Sequence, residues 1–133
     1  MIPNDISIID LVNIGFFGIV IGAFETTTNL VYLLSDNYNL SKKQHSFELP
    51  KKATESEIRR KVIQMFCLGV FLLLIAAISL FLSPLYFFLA SGAFVVSGAI
   101  DYLRFGKFGV FLTWIIVGLI PMILLVVDWI FVS

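Results

Sequence analysis

Glu25 and Asn29 stand four residues apart inside a long apolar stretch, on a stripe that also carries Gly15, Gly18, Gly22 and Tyr32. Steps of 3, 4, 3, 4 and 3 keep all six on one helical face, the spacing by which one helix meets another. A carboxylate so deep in apolar sequence is costly as an anion. It must be protonated, paired, or turned toward a wet cavity. One reading is a proton or cation site. The plainer one is a protonated Glu25 that donates a hydrogen bond to a neighbouring helix.

A second acid supports a cluster. In the third apolar stretch, Ala90, Ala93, Ser97, Asp101 and Arg104 fall on one helical face. Counting depth at about 1.5 Å per residue puts Glu25 level with Ser97, and Asn29 level with Asp101. The predicted polar cluster is therefore Glu25, Asn29, Ser97 and Asp101, with Gln64 and Thr113 at compatible depth. The competing expectation pairs Asp101 with Arg104 or Lys107 at the membrane surface. Asn13 and Asp128 fall near the opposite face, where solvent is expected to satisfy them. His45 reads as a solvated loop residue and Cys67 as a small core residue.

Other chemistry is poorly represented. One Cys and one His leave no internal disulfide and little for a metal site, so neither metal nor cofactor is expected. There is no Gly-rich phosphate loop, no His-Glu-x-x-His and no Ser/His/Asp set, which argues against an enzyme. A formal net charge of zero gives no reason to expect a nucleic-acid partner.

The elements that must position these residues are apolar helices. Hydrophobic residues make up 59 % of the 133, charged residues only 14 %, and mean hydropathy is +1.01. A soluble domain of this size has too little interior to hide that surface. The expected fold is all-α: one membrane domain of four spans, about 6–34, 58–82, 84–103 and 108–131. Each meets the roughly 20 residues a bilayer requires. Asn4 or Asp5 is the expected first cap, and with no Lys or Arg before Asp10 the first helix reads as retained rather than cleaved. Thr54 and Glu57 form a capping box, and Glu55/Arg59 and Glu57/Lys61 stand at favourable i, i+4 spacing. Ser83-Pro84 closes one span and opens the next. Pro121 is expected to kink the last, freeing the carbonyl of Val117. Gly18-x-x-x-Gly22 is a small-residue packing pattern of membrane helices, and Gly15, Ala90 and Ala93 are further packing positions.

All nine Lys and Arg residues lie in the 36–57 segment with the helix start beyond it, or in the 104–107 loop. The positive-inside rule then predicts both termini outside and both loops cytoplasmic, most naturally in a plasma (inner) membrane. Lys51, Lys52, Arg59, Arg60 and Lys61 form the predicted basic surface. Four spans with a long first loop resemble the layout of the small glutathione-using membrane enzymes, but Ile58 to Gln64 lacks their Arg, Asn and Glu signature. An acid in the first of four spans is similar to the small multidrug-resistance exporters in that feature alone. The chain is assigned to neither. The leading expectation is a non-enzymatic membrane protein that works by assembly in the lipid bilayer, as a homo-oligomer or as an accessory subunit of a larger membrane complex. The alternative is a small proton- or cation-coupled transporter or channel with Glu25 as its ion site.

Overall fold

The computed structural model describes residues 7–132. The first helix, α1 (Ile8–Ser35), starts at Ser7, whose Oγ accepts from the Asp10 N–H while the Asp10 carboxylate accepts from the Ser7 N–H. The expected caps, Asn4 and Asp5, lie outside the described residues. Within α1, Ile14–Val20 is wound as a π-helix. A π turn holds more residues than an α turn, so a stripe drawn at the α period drifts across it. Asp36, at φ 52°, ends α1 by donating its N–H to the Tyr32 carbonyl.

The polar segment that follows holds a short helix, α2 (Tyr38–Gln44), capped by the Asn37 side chain. The third helix, α3 (Glu55–Phe81), opens on the expected Thr54–Glu57 capping box. After the turn, Ser83 accepts from the Leu85 N–H and Pro84 begins a 3₁₀ turn that leads into α4 (Pro84–Phe105). Gly106, at φ 70°, supplies the left-handed conformation that ends α4, and α5 (Phe108–Val132) carries Pro121 in its interior.

Four of these helices, α1, α3, α4 and α5, are long and apolar enough to cross a membrane. Their outward faces carry large apolar side chains such as Phe16, Phe24, Leu74 and Ile123, as expected of an integral membrane protein. The α1 helix packs on α3, α4 packs on α5, α3 joins the two pairs, and the start of α1 meets α5. The core between them holds Ile14, Met65, Leu72, Phe87, Phe94 and Leu125.

Small residues set the closest approaches. A Cβ on Gly69 would lie 2.6 Å from both the N and Oγ1 of Thr26, and one on Gly22 would lie 3.0 Å from the Gly69 carbonyl oxygen. Such contact brings the α1 and α3 backbones together as small-residue packing does in membranes. Gly18 packs on Ala76 and Phe87, and Ala90 is fully buried. Ala93 is half-buried. Gly15 is a correction: nothing lies within 4 Å of where its Cβ would be, because the π winding carries it off the packed stripe.

The polar segment folds back over the bundle. Leu49 is buried against Ile58 and Val62, with Tyr32, Tyr38 and Phe105 around them. Lys107 donates from its Nζ to the carbonyls of Leu49 and Phe47, and Tyr32 donates its hydroxyl to Gln44. Residues 36–54 thus form a cap on the end of the bundle where α3 begins and α4 ends.

Candidate functional site

The charge network under that cap centres on a residue that the sequence placed on the basic surface. Lys61 is fully buried, and its Nζ lies 2.6 Å from the Asp101 Oδ2. The helical period explains the burial, since Lys61 shares a face of α3 with Met65, Leu68 and Leu72. Asp101 reaches it from the last turn but one of α4, so neither Arg104 nor Lys107 is its partner. The Trp114 ring of α5 lies 5.7 Å below the ammonium, and Phe94 stacks on that ring at 5.8 Å. Lys51, Lys52, Arg59 and Arg60 do lie exposed. The expected pairs Glu55/Arg59 and Glu57/Lys61 do not form among the described residues: Arg59 reaches Asp36 at 3.9 Å and Glu57 serves the Thr54 cap.

A second arm of the network comes from α1. The Asn29 Nδ2 donates to the Glu25 carboxylate at 2.9 Å and to the Glu25 carbonyl at 2.7 Å. Both partners are acceptors, which fixes the orientation of the amide. Its Oδ1 then faces the His45 Nε2 at 2.9 Å, so His45 is the donor of that bond. His45 is buried rather than solvated, because α2 and the turn after it dock on α1. Burial, reinforced by the nearby Lys61 charge, pushes the imidazole down from its usual 6.5 to about 4, leaving it neutral at pH 7. Glu48, also in the cap, is held above the ordinary carboxylate range by burial, although Lys61 draws it the other way.

The expected cluster is therefore divided by α3. Glu25 and Asn29 bond to each other and to His45, while Asp101 bonds to Lys61. Ser97 lies apart, accepting from the Gln64 Nε2 at 2.8 Å. Thr113 does not join, since it donates to the Gly109 carbonyl of its own helix and is exposed. Two acceptors in this region keep no partner among the described residues, the Asp101 Oδ1 and the Gln64 Oε1.

The other end of the bundle holds a smaller polar group. Asp10 and Asp128 are buried side by side, and Ser7 donates from Oγ to the Asp128 Oδ1 at 2.5 Å. Asn13 donates to the Pro121 carbonyl at 3.1 Å. Neither Asn13 nor Asp128 is left to solvent: α1 and α5 meet there and enclose both. Cys67 departs from expectation the other way and lies exposed on α3. No known family model, curated protein or solved structure matches this chain.

Proposed function

We propose that the protein is a small proton-coupled transporter or channel, with the network around Lys61 as its proton site. One observation supports this reading above the others. Carboxylates from three separate elements gather under the cap: Asp101 of α4 pairs with the buried Lys61, Glu25 of α1 is held by Asn29, and Glu48 of the cap feels the Lys61 charge from a distance. Lys107 acts on Glu48 as well, and a site that gathers three carboxylates around these ammonium groups has a place for an exchangeable proton. In this reading Glu25 and Glu48 hold and pass the proton. Asn29 and His45 connect cap to helix, and the Lys61–Asp101 pair sets the local field. The distribution of Lys and Arg supports an orientation with the cap in the cytoplasm and both termini outside, in a plasma (inner) membrane.

The test is proton flux into proteoliposomes under an imposed pH gradient. Wild type should exceed empty vesicles, and Glu25→Gln should abolish the excess while keeping helical content. Wild-type flux equal to that of empty vesicles would sink the proposal. Assembly as a homo-oligomer or with a larger membrane subunit is a second reading. It is favoured by Gly92 and Gly109, which are exposed with open space where a Cβ would sit. Native mass spectrometry in a mild detergent tests it, and a strictly monomeric mass would count against self-assembly.

A further inference from the structure

Between α3 and α4, at the capped end, a cleft of about 440 Å³ opens on the outward surface of the bundle. Its lining is split by polarity. Ile63, Cys67, Leu68, Val96 and Ile100 make an apolar floor and walls, and Arg60 and Arg104 stand at one end. Arg60 lies seven residues from Cys67 and Arg104 eight from Val96, so the apolar stretch runs ~10–12 Å away from the guanidiniums.

The two arginines differ from their neighbours in having no acid in contact. Arg59 reaches Asp36 and Lys61 is spent on Asp101, whereas Arg60 and Arg104 make no ion pair among the described residues. Glu57 acts on both from a distance, but its carboxylate is bound to the Thr54 N–H at 3.0 Å and the Thr54 hydroxyl at 3.1 Å. Arg104 rests over the Phe105 ring, 5.8 Å from its centroid. Beside them Gln64 donates to Ser97 and leaves Oε1 buried without a donor. Two cations with no ion pair among the described residues and an apolar trough thus follow one another along one cleft.

We propose that this cleft binds one anionic phospholipid, its phosphate on Arg60 and Arg104 and an acyl chain along Ile63, Cys67, Val96 and Ile100. Charge complementarity selects the headgroup, since guanidiniums pair with phosphate through parallel N–H donors. The trough selects a lipid over a free anion, which would leave the apolar walls uncovered. The proposal is independent of proton transport.

The test is native mass spectrometry from a mild detergent with phosphatidylglycerol, phosphatidylcholine or inorganic phosphate added. Cys67 supplies a parallel readout as the chain's single thiol, inside the cleft. Phosphatidylglycerol should be retained one per protein in preference to phosphatidylcholine, and should slow maleimide labelling of Cys67. Inorganic phosphate should do neither. The Arg60→Gln/Arg104→Gln double variant should weaken phosphatidylglycerol retention about thirtyfold, the worth of two surface cations near an anionic lipid. Val96→Trp, which fills the trough from an exposed position and keeps both arginines, should also weaken it. Equal retention of both lipids, retention unchanged in both variants, or phosphate binding as well as the lipid would each overturn the proposal. So would a second copy or another membrane protein whose binding excludes phosphatidylglycerol and shields Cys67 from maleimide.

Discussion

Removing the Lys61 charge should be among the most damaging single changes the bundle can suffer. The pair is excluded from solvent, with side-chain exposures of 0 % and 1 %, and its 2.6 Å contact gives Asp101 its only hydrogen-bond donor among the described residues. In Lys61→Met the Asp101 carboxylate keeps its place with neither oxygen satisfied, and Glu25 and Glu48 lose a cation that acts on both. Breaking a buried pair from one side costs about 3–5 kcal/mol, and this variant should fall at the upper end. Asp101→Leu should cost less, because Glu25 and Glu48 still act on the ammonium. The double variant Lys61→Met/Asp101→Leu removes both desolvated charges and should recover most of the loss, leaving a coupling of at least about 3 kcal/mol in the cycle. Unfolding in mixed detergent micelles, followed by fluorescence, measures all four proteins. Trp114, next to the ammonium, is a local reporter. Single variants within about 1 kcal/mol of wild type, or a double variant as unstable as the sum of the singles, would refute the reasoning.

Two further outcomes follow from the same geometry. His45, the only histidine, should titrate near 4 in the folded protein against 6.5 unfolded. Because the unfolded chain binds the proton more tightly, the stability is fully present above pH 6.5 and is lost as pH falls toward 4. The difference between the two states corresponds to roughly 3 kcal/mol. Imidazole NMR checks the value, and a midpoint at or above 6.5 would place His45 in solvent. Gly69→Ala should destabilise by about 1–3 kcal/mol through overpacking on Thr26, whereas Gly15→Ala, with open space, should be nearly silent. The order of the two melting curves decides, and a silent Gly69→Ala would mean that α1 and α3 do not approach as described.

Element boundaries were legible where the signal is local. The Thr54 capping box, the Ser83-Pro84 turn and the four apolar spans are each written within a few residues, and each forms where expected. The partners of the charged groups were less accessible. Lys61 follows Arg59 and Arg60 in sequence, and composition alone counts it with them. Its face, shared with Ile58, Met65, Leu68 and Leu72, was the available signal of burial. Asp128 likewise shares a face with Leu125 and Pro121, both buried. His45 carried no such signal, since its burial depends on a loop docking over α1. Phe47, Leu49 and Pro50 interrupt an otherwise polar segment, and Leu49 is buried in the cap. The π winding of Ile14–Val20 was hidden from a helical period, and Gly15 left the packed stripe for that reason.

In the proposed function the capped network carries an exchangeable proton. Infrared difference spectroscopy of the protein in lipid nanodiscs, recorded across a pH titration, tests this most directly. Wild type should show a carboxylic C=O band that persists above the ordinary carboxylate range and disappears in Glu48→Gln, consistent with the upward push that burial gives that acid. A spectrum in which every carboxylic band has gone at the ordinary carboxylate range, or in which Glu48→Gln changes nothing, would contradict it.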